Sequence, residues 1–328
     1  MGGEAPIADA ALWKQACALR REYWGNTVFL RGIVEFSNHC RQNCLYCGLR
    51  RSNTALARYR LQAAQILDCA RAIKSLGLGT VVLQAGEDPD FSADALAEII
   101  HRIKSELGLA VTLSLGEWSW AVYARWREAG ADRYLLKLET TDAGLYARLR
   151  PGRTLGEREK ALEDLRSLDY ELGTGLISGL PGQDAVALHR GIESIARLQP
   201  DMFSIGPFQP HPQTPLHSAA AGAAEEALGG MAYARTLAPA AHIPVTSALG
   251  LSGNHMRLTG LAVGNVLMPS FTPSDIRANY SIYPGKNAES ASPAQRAAQF
   301  IQLIRQGGFQ PGQGQGGAWR LQNKELNG

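Results

Sequence analysis

Cys40, Cys44 and Cys47 stand in C-x3-C-x2-C spacing directly after the apolar run 33–36. Three thiolates on one tight loop can each hold one iron of a cubane cluster, because thiolate is the usual ligand of iron–sulfur centres. The fourth iron would then lack a protein ligand and could take a chelating small molecule. Tyr46 sits immediately before the third cysteine. Zinc is a competing reading, with His39, Cys17 or Cys69 as fourth ligand, and buried unligated cysteines are another. Adjacent His39 and Cys40 would point in different directions on extended backbone, and neither Cys17 nor Cys69 has a companion at ligand spacing. The cluster is the chemistry that this spacing favours.

Such a loop needs a scaffold to hold it. β-rich runs at 28–36, 80–84, 110–115, 133–138, 172–178, 201–206, 243–248 and 263–268 alternate with helical patterns near 62–76, 92–107, 118–129, 155–169, 184–198, 222–238, 251–260 and 293–306. Strands each followed by a helix predict an α/β fold, a complete (β/α)8 TIM-type barrel, with an open doubly wound sheet as the alternative. Gly77, Gly108 and Gly130 fall where helices should close, and Ser92 where one should be capped. We expect an N-terminal helical extension over 1–24, the barrel over 25–290, and a C-terminal helix and tail over 291–328. From Gly307 the tail is rich in Gly and Gln, which reads as a flexible low-complexity segment tethered in part by Trp319.

Function in barrels gathers at the C-terminal ends of the strands. There the sequence places Gln84, Gly86 and Glu87, a turn whose glycine lets backbone groups approach a ligand; its bland reading is an ordinary turn with a capping acid. Thr112 and Ser114 alternate with apolar residues and should share the inward face, as ligand-binding or merely satisfied core hydroxyls. Lys137 and Glu139 are also two apart, and a buried pair of this kind is costly unless it binds something. Arg158, at the start of a helical pattern, can clamp a carboxylate or lie on a helix surface. Thr246 and Ser247 offer two hydroxyls for an anion, and Tyr280 and Tyr283 lie where they can close over the cavity or simply pack. His211, held between prolines, reads as structural.

The composition narrows the function classes. A formal charge of +3 over 328 residues, with no stripe of Lys or Arg, gives no reason to expect a nucleic-acid partner. No signal peptide is visible and no stretch approaches the roughly 20 apolar residues that span a bilayer, so a soluble cytoplasmic protein with no membrane partner is expected. Five cysteines, three of them clustered, suit a reducing compartment rather than a disulfide framework.

The cysteine loop resembles the signature of the radical S-adenosylmethionine enzymes. The phrases EFSNHCRQNCLYCGLRRSN, VVLQAGEDP, VTLSLGEW, EAGADRYLL, LRPG, GLPGQ, IGPFQPHPQTPL, NVLMPSFTP and YPGK extend the likeness, over nearly all of 25–290, to the HydE family of FeFe-hydrogenase maturases. The resemblance implies a 4Fe-4S cluster on Cys40, Cys44 and Cys47 and S-adenosylmethionine as cofactor, reductively cleaved to a 5′-deoxyadenosyl radical. By position it implies cofactor contacts from Tyr46, Gln84, Gly86, Glu87, Ser114, Glu139 and Arg158, with Arg158 near the methionine carboxylate. It places Thr112, Lys137, Thr246, Ser247, Tyr280 and Tyr283 around the substrate. That substrate would be a small organometallic iron–cysteine complex supplied by a partner maturase, with an electron donor as second partner. No cysteine follows Cys69, so no second cluster is expected. Lys137-Leu138-Glu139 stands where the family pattern reads Arg-His-Glu, and Ser247 where a second threonine is usual, changes that bear on the substrate. A HydE-like enzyme acting on another small amino acid or thiazolidine, or a non-catalytic iron–sulfur scaffold, are the alternatives.

Overall fold

Helix Ala10–Trp24 begins where the Asp9 carboxylate accepts from the Leu12 amide, and it leads into strands β1 (Thr27–Leu30) and β2 (Gly32–Ser37). In this computed structural model, which describes residues 9–287 and 291–323, the further strands are β3 (Thr80–Ala85), β4 (Ala110–Ser114), β5 (Arg133–Leu135), β6 (Glu171–Ser178), β7 (Met202–Pro207), β8 (Val266–Leu267) and β9 (Gln310–Pro311). β2 to β7 form a parallel sheet in sequence order, each strand joined to the next by at least one helix. Every residue of β2 and β7 is buried, as expected for parallel strands covered on both faces. The order and parallel pairing make this an α/β fold.

A regular eight-stranded barrel differs from what is seen. The expected strand at 243–248 is reduced to single bridges, His242 to Met202 and Pro244 to Val266. Pro244 has no N–H to continue a ladder. The expected strand at 263–268 keeps only β8, which ends two residues before Pro269. The run 28–36 divides at Arg31, next to Gly32, where a Cβ would lie 2.5 Å from Ile73 of the overlying helix Ala63–Ser75. β1 then pairs with β8, and Ile33 bridges to Ser270, so irregular pairings carry the ring from β7 back to β2. β5 stops at Leu135, short of the expected 138: after the Leu136 amide bonds the Gly173 carbonyl, the next bond to β6 comes only at Glu139, which has φ 67°.

Gly77, Gly108 and Gly130 do take positive φ at helix ends, and the Ser92 hydroxyl accepts from the Ala95 amide. One helix, Ala143–Leu149, is absent from the sequence reading; Asp142 caps it and Pro151 prevents its extension. Among the described residues no helix is long and apolar enough to cross a membrane.

The Gly/Gln-rich stretch is a correction to the expected flexible tail. β9 pairs with β1, and residues 315–318 fill the N-terminal mouth of the sheet. The Gln315 carbonyl accepts from Thr80 Oγ1 at 2.8 Å and Arg133 Nη2 at 3.1 Å, and the Gly316 carbonyl from Arg31 Nη2 at 3.0 Å. The Ala318 amide donates to Glu171 at 2.7 Å, and Trp319 packs on Tyr23. Small residues let these carbonyls reach buried arginines, where a bulkier chain would collide; a Cβ on Gly312 would meet Phe29 at 2.5 Å.

Candidate functional site

The cysteine loop leaves β2 and is fastened from several directions. Arg58 donates to the carbonyls of Asn38, Leu49, Arg50 and Asn53. The Arg41 amide bonds the Glu87 carbonyl at 2.9 Å, the Leu45 amide the Leu149 carbonyl at 2.8 Å, and the Gly48 amide the Ile282 carbonyl at 3.0 Å. The loop therefore rests on the turn after β3, on helix Ala143–Leu149 and on the segment that follows β8. Gly86 is required at the first of these contacts: a Cβ there would lie 2.2 Å from the His39 carbonyl oxygen and 2.7 Å from Cys40 Cβ. We expect Gly86→Ala to push the loop outward, at a cost of about 1–3 kcal/mol, and to lower the iron bound per chain in a colorimetric assay.

All three cysteines line one cavity of about 640 Å³ at the C-terminal ends of the strands. Burial pushes the Cys40 thiol up to about 11, with Glu87 adding to the shift. Burial and then the charges of Cys44 and Cys40 raise Cys47 further. Burial also raises Cys44, opposed by Arg150, Arg158 and a hydrogen bond from Tyr46. Three mutually repelling buried thiolates need a cationic partner, and coordination to a metal supplies one and deprotonates them. A cubane takes its thiolates on separate corners, which three cysteines of one loop can supply.

Two acids and four arginines meet beside the loop. Glu117 accepts from Arg158 Nη1 at 2.8 Å, lies 3.4 Å from Arg150 Nη2 and pairs with Arg153. Glu87 pairs with Arg41 at 3.2 Å and stands 3.7 Å from Arg150 and 3.9 Å from Arg158. Arg158 also donates to the Lys137 carbonyl at 2.9 Å, so its guanidinium is buried and oriented rather than displayed on a helix surface. Arg150 lines the same cavity, with its guanidinium carbon 5.2 Å over the Tyr146 ring; its Nε and Nη1 are buried and have no hydrogen-bond partner. Glu139 stands in the left-handed region that disfavours a side chain, held there by bonds from its amide to Gly175 and from the Ile177 amide to its carbonyl. Its Oε2 has no aligned hydrogen bond and lies 3.2 Å from Lys137 Nζ.

The structure brings Tyr46, Gln84, Gly86, Glu87, Ser114, Lys137, Glu139, Arg158, Thr246, Ser247, Tyr280 and Tyr283 to this cavity with the cysteines. Thr112 is the exception and a correction: it lines a small void at the opposite end with Arg31, Arg133, Glu171 and His242. One strand repeat of two residues, roughly 7 Å, separates it from Ser114 on the same inward face. The hydroxyls expected to seat an anion already have partners, Thr246 with the Leu249 amide and Ser247 with Tyr283. His211 holds Ser281 at 3.0 Å and does not line the cavity.

Sequence reasoning missed Glu35, Glu117, Arg150 and Lys286, all buried in or beside the cavity wall. Glu35 gave a signal, a charge inside an apolar strand run. Arg150 and Glu117 gave none of their own, since each acquires meaning only through the other.

Residues 34–206 match the sequence pattern of the Radical SAM superfamily. Over 314 residues the chain is 43% identical to the FeFe-hydrogenase maturase subunit HydE of Thermotoga maritima, covering 95% of this chain and 90% of the relative. It is 30% identical over 275 residues to 3-methylornithine synthase of Methanosarcina acetivorans, covering 82% and 77%. The crystal structure of methylornithine synthase (PylB) superposes with a TM-score of 0.81 at 27% identity, over 92% of this chain and 88% of that one.

Proposed function

The chain belongs to the radical S-adenosylmethionine superfamily and, within it, to the HydE family, and from that premise we propose that it acts in assembling the two-iron subcluster of FeFe-hydrogenase. The substrate in this reading is an iron–cysteine carbonyl/cyanide complex, attacked at its sulfur. A 4Fe-4S cluster and S-adenosylmethionine, when bound, supply the electron and the 5′-deoxyadenosyl radical. Everything else falls to the chain's own residues.

Cys40, Cys44 and Cys47 would hold three irons and leave the fourth without a protein ligand, and among the described residues no fourth cysteine lines the cavity. Arg158, steered by Glu117, and Arg150 would present cations to a carboxylate at the cavity wall. Gln84, Gly86 and Glu87 line the same cavity, with Glu87 beside those arginines, and Tyr46 and Glu139 would make the remaining contacts to the cofactor. Lys137, Thr246, Ser247, Tyr280 and Tyr283 surround the substrate, and the two tyrosines close the space against water. The arrangement of three cysteines of one loop with Arg150 and Arg158 on a single cavity carries the reading. With no cysteine after Cys69, a single cluster suffices. A cytoplasmic setting, an electron donor and partner maturases complete the proposal.

The anaerobically reconstituted, reduced protein should cleave S-adenosylmethionine, releasing 5′-deoxyadenosine when no substrate is supplied and placing the 5′-deoxyadenosyl group on sulfur as an adduct when the iron–cysteine complex is present, read by mass spectrometry. Cleavage without adduct would favour a second reading, in which a free amino acid is the substrate. That reading draws on the Lys137–Glu139 pair, which offers an ammonium to a carboxylate and a carboxylate to an amine within the cavity.

A further inference from the structure

Lys286 is buried at the cavity wall with Glu35, each less than a tenth exposed in its side chain. All of its donors have somewhere to go. Nζ donates to Gln84 Oε1 at 2.9 Å, stands 3.3 Å from Glu35 Oε1, and lies 4.4 Å above the centre of the Tyr280 ring. Glu35 is fully committed as well: Ser270 donates to it at 2.6 Å, Asn287 at 3.2 Å, and Thr272 also donates. Burial raises the Glu35 carboxyl, but Lys286 and these three donors outweigh it and hold it below its ordinary value; burial lowers the Lys286 ammonium, and Glu35 opposes that.

The segment carrying Lys286 crosses the top of the cavity. Asn279 accepts from Asn38, Ile282 from the Gly48 amide of the cysteine loop, Ser281 bonds His211, and Tyr283 bonds Ser247. Lys286 is the point where this strap reaches the end of β3, at Gln84.

An ammonium only donates, so the Gln84 side chain must turn its oxygen toward Lys286. Its NH2 then faces the other way, with one N–H on Ser114 Oγ at 3.3 Å and one left for an acceptor in the cavity. We propose that Lys286 is a positioning residue that fixes the Gln84 amide, presenting an N–H donor to bound S-adenosylmethionine and joining the strap over the substrate to the cofactor wall. The inference rests on the functional reading above. It assigns the cofactor-side role of Gln84 to a lysine more than 200 residues away in the chain.

The test measures S-adenosylmethionine affinity by equilibrium binding to the anaerobic, cluster-loaded protein, with the electron paramagnetic resonance spectrum of the reduced cluster recorded without and with cofactor. Lys286→Met and Gln84→Glu should each weaken binding by roughly tenfold or more, as loss of an outer orienting partner does elsewhere. The cofactor-free spectrum should not change. Gln84→Glu is the decisive variant, because it keeps an acceptor for Lys286 and so keeps the strap pinned, but has no N–H to offer. Wild-type affinity in Gln84→Glu, or a Lys286→Met protein that melts lower yet binds normally, would overturn the proposal by reducing Lys286 to a packing role. Failure of the unaltered protein to bind the cofactor would instead remove the premise, and the inference with it.

Discussion

Cys47→Ala is expected to yield a folded protein that retains no intact cluster and releases no detectable 5′-deoxyadenosine under conditions where the parent turns over. Cys47 has no substitute: Cys17 and Cys69 pack against the hydrophobic core and line no part of the cavity. Burial and the two neighbouring cysteines raise its thiol, which stays protonated in the metal-free chain, so alanine removes no charge there. Stability without metal should accordingly change little, while iron content and turnover collapse. Thermal melting under chelation separates the two effects. A variant that lost its fold in the absence of iron would place Cys47 among structural residues instead.

The second large effect concerns Glu117. Burial raises its carboxyl, but Arg158, Arg150 and Arg153 together outweigh burial and hold it below the ordinary 4.5. Glu117→Gln strips these arginines of their shared counter-ion in a wall where Arg150 and Arg158 are almost fully buried. Removing one partner of a buried ion pair costs about 3–5 kcal/mol, far more than a surface pair. The denaturant midpoint should fall accordingly. Turnover should fall with it, because Arg158 loses the bond that orients it at 2.8 Å. The pH dependence has a definite sign. A carboxyl whose folded value lies below its unfolded value binds fewer protons when native, so its contribution is complete above about 4.5 and is lost as pH falls through the folded value. Melting temperature should drop on acidification of the parent and drop less steeply in Glu117→Gln, by the part that Glu117 supplies. Parallel slopes would show that the carboxyl is not depressed.

Much of the chemistry was legible because it is local. C-x3-C-x2-C places three thiols on one loop whatever surrounds it, and period-two and period-3.6 patterns mark β3, β4, β6, β7 and their helices. What escaped the sequence is what depends on distant partners. The pairing of Glu117 with Arg150 and Arg158, or of Glu35 with Lys286, joins segments 33 or more residues apart, and of these residues only Glu35, a charge inside an apolar run, is unusual alone. The Gly/Gln-rich stretch misleads for the same reason. Its composition says flexible, but Arg31, Arg133 and Thr80 wait below the sheet with donors that only a slim backbone can reach. Thr112 was placed on the correct face of its strand and at the wrong depth, which alternation alone does not report. The shortened strand at 243–248 shows a weak local rule overriding a stronger pattern: one proline ends the ladder that the apolar run proposes.

The most direct measurement is electron–nuclear double resonance on the reduced, anaerobically reconstituted protein with S-adenosylmethionine labelled at its amino nitrogen and carboxylate oxygen. The account predicts hyperfine coupling from both labels to the cluster, since one iron has no protein ligand and takes the chelate. A cluster whose spectrum ignores the cofactor, with coupling instead from a fourth protein side chain, would contradict it.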